Sequence, residues 1–426
     1  MSTTPLAVLD LIPRSSADSI PTAVRNAIDL ARRTEQFGYQ RYWLAEHHLN
    51  PGVLGVSPAV AISLVAGATS TIRLGSAGVQ LGHRQPLATV EEFGLLDAAY
   101  PGRLDLGVGR SIGRQKPADS PAVDSPAADS PAADSPAAHN SAPLATVGTA
   151  LSAYQAQRGG GAHAVDQRAD NGLLLPKQFD FTKLIAKSGT KLAVLLSLLQ
   201  QPGAYTPDYD SQISDILAFL AGTYVSDDGV EIHAYPGEGA SVQVWILGAS
   251  GGSSATVAGE RGLRFAAGYH HSPSTVLDAV SAYREAFRPS ADLDLPYISV
   301  SADVVVGDTD EHAAELAAGY GLWVLGIRSG AGAIPFPSPE AAAEHEWSAE
   351  DRELVRDRID TQLVGSPGTV ADKLEQLRDA TGAHELAITT ITHRHADRVR
   401  SYQLLAEEWR RRGNSRPATD HETAAP

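Results

Sequence analysis

The sequence contains no cysteine, so disulfides, thiolate metal sites and cysteine nucleophiles are excluded. Basic residues are also scarce, because 34 Lys and Arg stand against 50 Asp and Glu, which gives a formal net charge of −16. A single basic cluster, Arg410-Arg411-Arg412, follows Trp409 on a predicted terminal helix. Cations are favoured at a helix C-terminus, so a solvated helix end explains this cluster better than a polyanion site. We therefore expect no nucleic-acid partner.

Long hydrophobic runs are missing as well. No stretch approaches the roughly 18 consecutive apolar residues that a membrane-spanning helix needs. The first residues form a short apolar strand pattern, without the basic region and long apolar run of a signal peptide. With 43% hydrophobic and 20% charged residues, the composition is that of a soluble globular protein with a large core. The expectation is a cytoplasmic protein without a membrane partner.

What the sequence does contain is a repeated alternation of strand and helix patterns. Eight strands are predicted, at residues 7–11, 41–45, 72–79, 104–108, 242–247, 264–267, 298–306 and 386–391. Helices are predicted at residues 21–37, 58–68, 86–99, 211–221, 253–262, 274–287, 369–381 and 396–411. Eight such units favour an α/β fold of the TIM (β/α)8 barrel type with insertions, and an open doubly wound sheet is the alternative.

A low-complexity segment interrupts this alternation. Asp-Ser-Pro-Ala recurs there with a period of five residues, beginning at Asp119. Proline at that spacing opposes both helix and sheet, so a flexible insertion is predicted over about residues 115–170. Repeat expansion in a surface loop explains it better than an array of Ser-Pro phosphorylation sites. The prediction is one barrel domain over residues 1–412, carrying this insertion, and a disordered tail over 413–426.

Histidines cluster directly after the second predicted strand, in Ala45-Glu46-His47-His48. Reactive groups of such barrels lie at the carboxyl ends of the strands, and neutral imidazoles can act as general bases there. A metal site that also uses His270-His271 is one alternative, and two imidazoles that merely fill the barrel mouth are another. Consecutive residues of an extended segment point to opposite sides, so His47 and His48 are poor ligands for one ion. No metal is predicted.

Two further segments have the composition of anion sites. Residues 107–111, Gly-Val-Gly-Arg-Ser, place Arg110 at a strand end, and a guanidinium suits phosphate because it donates two parallel hydrogen bonds. Residues 248–254 form a loop rich in glycine and serine before a predicted helix N-terminus, where backbone N–H groups attract anions. Together, the two segments could hold one phosphate from two sides. A plain glycine-rich turn with Ser253 as N-cap is the alternative, and the dinucleotide-binding Gly-x-Gly-x-x-Gly spacing is absent.

Taken together, these segments resemble the luciferase-like monooxygenase family. The resemblance is carried by Arg41-Tyr42-Trp43-Leu44-Ala45-Glu46-His47-His48 and by residues 72–79, 86–92, 102–110, 245–262 and 365–374. It spans about residues 5–112 and 240–408. The resemblance implies reduced flavin mononucleotide (FMN) from a separate, transiently bound reductase, dioxygen as co-substrate, and a small lipophilic aldehyde or ketone as substrate. It also implies a homodimer formed through the second and third helices.

The resemblance assigns roles to individual residues. His47 takes the place of the catalytic histidine, and Arg110 that of the phosphate-binding arginine. Ser250, Gly251 and Ser254 fall where the family contacts the flavin phosphate, although bacterial luciferase has a Glu-Ser pair where this chain has Ser250-Gly251. Ala77-Gly78 matches the position of a cis peptide beneath the flavin ring. Substrate contacts or support are expected from Asp10, Glu46, His48, Tyr269 and His270.

Two other functions fit the same residues. One is hydride transfer with a deazaflavin coenzyme, because the enzymes that use it share the barrel. The other is a non-catalytic flavin-binding protein, because the low-complexity insertion occurs directly after Arg110, where the family has a mobile loop that shields the active site.

Overall fold

The predicted apolar runs form one closed parallel sheet in the computed structural model, which describes residues 3–111, 113, 163–180, 194–195, 197–201 and 204–414. The strands are β1 (Leu6–Asp10), β2 (Arg41–Leu44), β3 (Arg73–Ser76), β4 (Val79–Gln80), β5 (Leu104–Gly109), β6 (Gln167–Arg168), β7 (Leu174–Leu175), β8 (Gln243–Gly248), β9 (Arg264–Gly268), β10 (Ile298–Val306), β11 (Leu363–Gly365) and β12 (Glu385–Thr389). The order β1-β2-β3-β5-β8-β9-β10-β12 closes because β12 pairs with β1. The predicted (β/α)8 barrel is confirmed.

Helices surround this sheet. They are α1 (Ile20–Gln36), α2 (Pro58–Ala66), α3 (Pro86–Ala99), α4 (Tyr209–Ala221), α5 (Ser253–Glu260), α6 (Val276–Ala286), α7 (Asp310–Ala317), α8 (Tyr320–Arg328), α9 (Pro339–Glu344), α10 (Ala349–Thr361), α11 (Pro367–Thr381) and α12 (His395–Arg411). Local sequence sets many of these boundaries: Ser19 caps α1 by accepting from the backbone N–H of Thr22 at 3.2 Å, and Gly38 follows that helix with a φ of +86°. No helix in the described ranges is both long enough and apolar enough to cross a membrane.

Side chains alternate between the two sides of each barrel strand. In β1, Leu9 faces the barrel interior, whereas Asp10 faces the helical layer and accepts a hydrogen bond from Arg398 of α12 at 2.8 Å. The amino-terminal end of the barrel is filled by a buried ionic network. Arg41 donates to Asp105 and to Glu385, each at 2.8 Å, and the indole of Trp43 donates to Asp105 at 3.0 Å. This network leaves the carboxyl ends of the strands as the open end.

Most of the predicted insertion, residues 115–170, lies outside the described residues. Its last part is described and belongs to the hairpin of β6 and β7. Asp166, just before this hairpin, accepts a hydrogen bond from Arg356 of α10 at 2.7 Å. The end of the insertion is thus tied to the barrel by an ion pair. The predicted tail lies outside the described residues from 415 onward.

The segment between β10 and α11 holds structure that the sequence patterns did not predict. Helices α7 to α10 and the short strand β11 all fall there. Strand β11 pairs in parallel with the carboxyl end of β10, and α8 packs against α10. Side chains from both helices reach the open end of the barrel, where they meet Leu9 and Ala45 in a second apolar cluster.

Candidate active site

A cavity of about 640 Å³ lies at the carboxyl ends of the barrel strands. It brings together most of the residues that the sequence singled out. The predicted residues that line it are Glu46, His47, Ala77, Gly78, Arg110, Ser250, Ser254 and His270. Asp10, His48, Gly251 and Tyr269 are not among the lining residues.

His47 is held at the end of β2 by its backbone. Its N–H donates to the carbonyl of Gly55 at 2.6 Å, and its ring lines the cavity. Nδ1 is buried and has no hydrogen-bond partner within the part of the chain that the structure describes. Burial lowers the pKa of His47 to about 4, although the charge of Glu46 acts in the opposite direction. The imidazole is therefore neutral at pH 7 and can accept or donate one proton.

Glu46 is the centre of a hydrogen-bond cluster beside His47. Burial disfavours its charge, but the hydrogen bonds from His83, the backbone of Gln80 and Arg84 outweigh this effect and lower the pKa of Glu46 to about 2. His48 lies 2.9 Å from the same carboxylate. Glu46 is thus a fixed carboxylate that positions the turn after β2.

Glu46, His48 and His83 also have the ligand atoms of a possible cation site, because those atoms lie within 4.8 Å of one another. However, both histidines and Arg84 contact one oxygen, Oε1, and Arg84 donates to it at 2.8 Å. A permanent positive charge at that distance repels a divalent cation. The cluster is better explained as an internally satisfied network.

Arg110 and helix α5 form the polar wall on the β5 and β8 side of the cavity. Nη1 of Arg110 donates to Oγ of Ser253 at 3.0 Å. Helix α5 begins at Ser253, and its N-cap is Gly252 rather than Ser253, without a side-chain cap. The first backbone N–H groups of α5 and the guanidinium therefore favour an anion at this wall.

Gly251 and the pair Ala77-Gly78 have different surroundings. A Cβ at Gly251 would lie 3.2 Å from the carbonyl of Asp278, so this residue packs against α6 and not into the cavity. The Ala77–Gly78 peptide bond is cis, as the resemblance implies. A Cβ at Gly78 would lie 2.9 Å from the carbonyl oxygen of Gly107, which shows how closely the backbone packs there.

Asp10 is the last residue of β1 and Tyr269 directly follows β9, but neither residue lines the cavity. Asp10 is paired with Arg398 and also accepts from the hydroxyl of Tyr42 and the backbone of Ile12. The hydroxyl of Tyr269 donates to the carbonyl of Leu174 at 2.9 Å. Asp10 thus connects β1 to α12, and Tyr269 contacts β7.

His270 lies in the cavity on the side of β10. Its Nδ1 is 2.6 Å from Oγ of Ser301, whose hydroxyl is 3.3 Å from the carbonyl of Ala267. Burial, assisted by the positive charge of Arg358, lowers the pKa of His270 to about 3. Like His47, this imidazole is neutral at pH 7.

A third polar group, absent from the sequence prediction, lines the cavity next to His270. Asp303 accepts hydrogen bonds from Arg358 at 2.9 Å and from the hydroxyl of Tyr320, and burial raises its pKa. The sequence nevertheless contains a pattern that indicates a polar inner face at Asp303. Ser299, Ser301 and Asp303 alternate along the apolar strand β10, which places all three on one face.

Comparison with known proteins gives the relatives of this chain. The family model for luciferase-like monooxygenase matches residues 4–120 and 216–385. Uncharacterized protein YvbT of Bacillus subtilis (strain 168) is 31% identical over 407 residues, which are 96% of this chain and 97% of that protein. The crystal structure of apo-MsnO8 is similar with 25% identity and a TM-score of 0.66, covering 96% of this chain and 98% of that one.

Two more distant structures share the fold and contain coenzymes. The oxygenating constituent of 3,6-diketocamphane monooxygenase from Pseudomonas putida, in complex with FMN, has 17% identity and a TM-score of 0.55, covering 95% of this chain and 97% of that one. An F420-dependent secondary alcohol dehydrogenase with an F420-acetone adduct has 12% identity and a TM-score of 0.54, covering 96% of this chain and 99% of that one. The fold thus occurs with both FMN and F420.

Proposed function

Because this chain belongs to the luciferase-like monooxygenase family, we propose that it is a monooxygenase that uses reduced FMN and dioxygen to oxygenate a small lipophilic aldehyde or ketone. A separate reductase would supply the reduced FMN. The observation that carries the proposal is the shared cavity, which is lined both by the Arg110 and α5 wall and by His47.

The polar wall suits the phosphate end of the cofactor. Arg110 would donate to phosphate oxygens, and Ser254 and the backbone N–H groups at the start of α5 would complete the anion site. The Ala77-Gly78 segment has no side chain larger than a methyl group and therefore leaves room for a flat ring. Reduced flavin, when bound, supplies the electrons for the reaction with dioxygen.

His47 would act as the general acid or base in this site. Its neutral ring lines the cavity, so it can form a hydrogen bond to a reacting oxygen and give or take a proton. Glu46 stays ionised, and its cluster fixes the turn that presents His47. The mostly apolar remainder of the cavity wall excludes water and favours a lipophilic substrate.

An anaerobic titration tests the cofactor assignment. We expect reduced FMN to bind the wild type at micromolar concentration, and Arg110→Met to weaken it by about 10- to 100-fold, because charged hydrogen bonds contribute about 1.5–3 kcal/mol. Reduced riboflavin lacks the phosphate and serves as the matched control, since its affinity should not change in Arg110→Met. Failure of reduced FMN to bind would contradict the proposal, and tighter binding of a reduced deazaflavin would favour hydride transfer instead.

Oxygen uptake tests the reaction. With an added reductase, a panel of aldehydes, ketones and sulfonates should reveal substrate-dependent product formation. If no substrate yields product and His47→Ala leaves oxygen uptake and flavin oxidation unchanged, the chain is a flavin-binding protein and not a monooxygenase.

A further inference from the structure

The turn that carries His47 is docked on a segment that is distant in sequence. This turn, residues 47–55, is closed at its ends because the backbone N–H of His47 donates to the carbonyl of Gly55 at 2.6 Å. Near its middle, the backbone N–H of Gly52 donates to the carbonyl of Ala333, between α8 and α9, at 2.7 Å. A Cβ at Gly52 would lie 1.8 Å from the carbonyl oxygen of the residue after Ala333, so the two backbones are in direct contact. We call residues 47–55 the His47 turn.

The side-chain amide of Asn50 bridges the same two segments. Its Nδ2 donates to the carbonyl of His48 at 2.8 Å, and its Oδ1 accepts from the backbone N–H of Ala333 at 2.9 Å. A backbone N–H can only donate and a carbonyl can only accept, so these two partners fix which way the amide points. Asn50 thus connects the residue next to His47 with the segment that follows α8.

The backbone of the His47 turn is strained beside Asn50. Leu49 has a φ of +54°, in the left-handed region that residues other than glycine rarely adopt. Such a conformation persists only where its surroundings hold it. The side chain of Leu49 is 54% exposed, so its own packing contributes little of this support. The hydrogen bonds of Asn50 supply it, because they fix the residue directly after Leu49 and the carbonyl of His48 directly before it.

This connection matters for the proposed reaction because it lies at the cavity. His47, Asn50 and Ala333 all line the cavity. Release of the turn would move the imidazole relative to a bound substrate, and a displacement of about 1 Å can lower a rate about 100-fold. We infer that Asn50 is a positioning residue that holds the His47 turn, and with it the imidazole, in place for proton transfer. This inference rests on the proposed function, which makes His47 the general acid or base.

A matched pair of asparagine variants tests the inference. Asn50→Ala removes both hydrogen bonds of the amide. Asn171→Ala is the control, because the Asn171 amide also donates to a backbone carbonyl, that of Gln376 at 2.7 Å, and accepts from a backbone N–H, that of Leu173 at 3.3 Å, but does not line the cavity. At saturating reduced FMN and substrate, we expect kcat of folded Asn50→Ala to fall about 10- to 100-fold, and that of Asn171→Ala to stay at the wild-type value. The affinity for reduced FMN should not change in either variant, because the polar wall of Arg110 and α5 is intact.

Nuclear magnetic resonance of the protein without cofactor reports on the ring itself. The sequence has 14 histidines, and labelling of Cε1 with carbon-13 gives each a ring signal, of which His47→Ala identifies that of His47. This signal should shift in Asn50→Ala and remain in place in Asn171→Ala. Asn50→Asp is a second variant, because it keeps an acceptor for Ala333 but places an oxygen opposite the carbonyl of His48. It should also shift the His47 signal and lower kcat.

Failure of the inference and failure of the proposed function give different results. An unshifted His47 signal in both Asn50 variants, a wild-type kcat in Asn50→Ala, or equal losses of kcat in Asn50→Ala and Asn171→Ala would each overturn the inference. A wild type that binds reduced FMN but oxygenates no substrate would instead refute the proposed function. In that case the His47 signal would still decide whether Asn50 holds this ring.

Discussion

The ring of His47 can handle a proton only if its position and its neutral state are both maintained. The backbone bond to Gly55 maintains the position, and burial maintains the neutral state. Replacing the ring by an amide of similar polarity removes proton transfer without opening a large cavity. We therefore expect His47→Gln to lower the rate of product formation by about 10²- to 10⁴-fold, the usual contribution of a general acid or base.

The affinity of this variant for reduced FMN should stay within about threefold of the wild type, because no phosphate contact is assigned to His47. His312→Gln, at an exposed position of α7, is the matched control and should retain the wild-type rate. A His47→Gln enzyme with the wild-type rate would refute the role of His47.

Two neutral histidines that line the cavity, His47 and His270, also make stability depend on pH. The pKa values of His47 and His270 fall from an ordinary 6.5 to about 4 and about 3. Below pH 6.5 the unfolded chain binds protons that the folded chain does not, so the stability present above pH 6.5 is lost as pH falls towards 4. We expect the urea midpoint to decrease from pH 7 to pH 5, and less steeply in His270→Gln.

Comparing the two proteins at each pH cancels the contribution of the remaining titrating groups. Equal slopes for wild type and His270→Gln would mean that His270 is not held neutral by the fold.

Individual side chains were predictable from the sequence where the strand-end rule and the family resemblance agreed. His47, Arg110 and Ser254 line the cavity as expected. Asp10 follows the same rule but points outward, because neighbouring positions of a strand face opposite sides and Leu9 occupies the inner one. A residue near a strand end is therefore predicted to line the cavity only if the alternation of side chains along the strand also places it on the inner face.

At the level of secondary-structure elements, prediction succeeded where a single hydrophobic periodicity dominated the sequence. The eight barrel strands are apolar runs between turn residues, and α3 has the predicted bounds, Pro86–Ala99. Helix α8 escaped prediction because it is buried on most sides and contains Gly321 and Gly326, which remove the amphipathic signal and weaken local helix propensity. A Cβ at Gly321 would lie 3.1 Å from the ring of Trp347, so a larger residue there would require that ring to shift.

Helix α12 is attached to the barrel by one buried ion pair. Arg398 donates to Asp10 at 2.8 Å and to the carbonyl of Thr390 at 2.7 Å. Removing one partner of a buried pair leaves the other uncompensated, so Arg398→Met should lower the free energy of unfolding by about 3–5 kcal/mol. Urea denaturation of both proteins measures this.

Arg400→Met is the matched control on the same helix, because Arg400 pairs with Asp308 at the surface and exposed pairs contribute little. The affinity of Arg398→Met for reduced FMN should not change while the protein is folded. An Arg398→Met protein as stable as the control would show that the pair does not hold α12 to β1.

At the level of the whole molecule, the outer surface of α2 and α3 is unusually apolar. Leu64 of α2 is 46% exposed and Leu95 of α3 is 66% exposed, and Val60 is exposed one turn from Leu64. The two helices pack side by side, so these side chains share one face. Apolar surface of this kind marks an interaction site, and the resemblance implies a homodimer through the same helices.

We therefore expect the chain to be a dimer, and the double variant Leu64→Asp with Leu95→Asp to be a monomer at micromolar concentration, measured by light scattering after size exclusion. A two-fold axis presents each substitution twice in the interface, which buries four carboxylates beside apolar groups and strongly opposes association. Leu295→Asp is the control, because Leu295 is also exposed but lies in the loop before β10. The cavity is built within one chain among the described residues, so the monomeric variant should still bind reduced FMN. A double variant that remains dimeric would place the interface on another face.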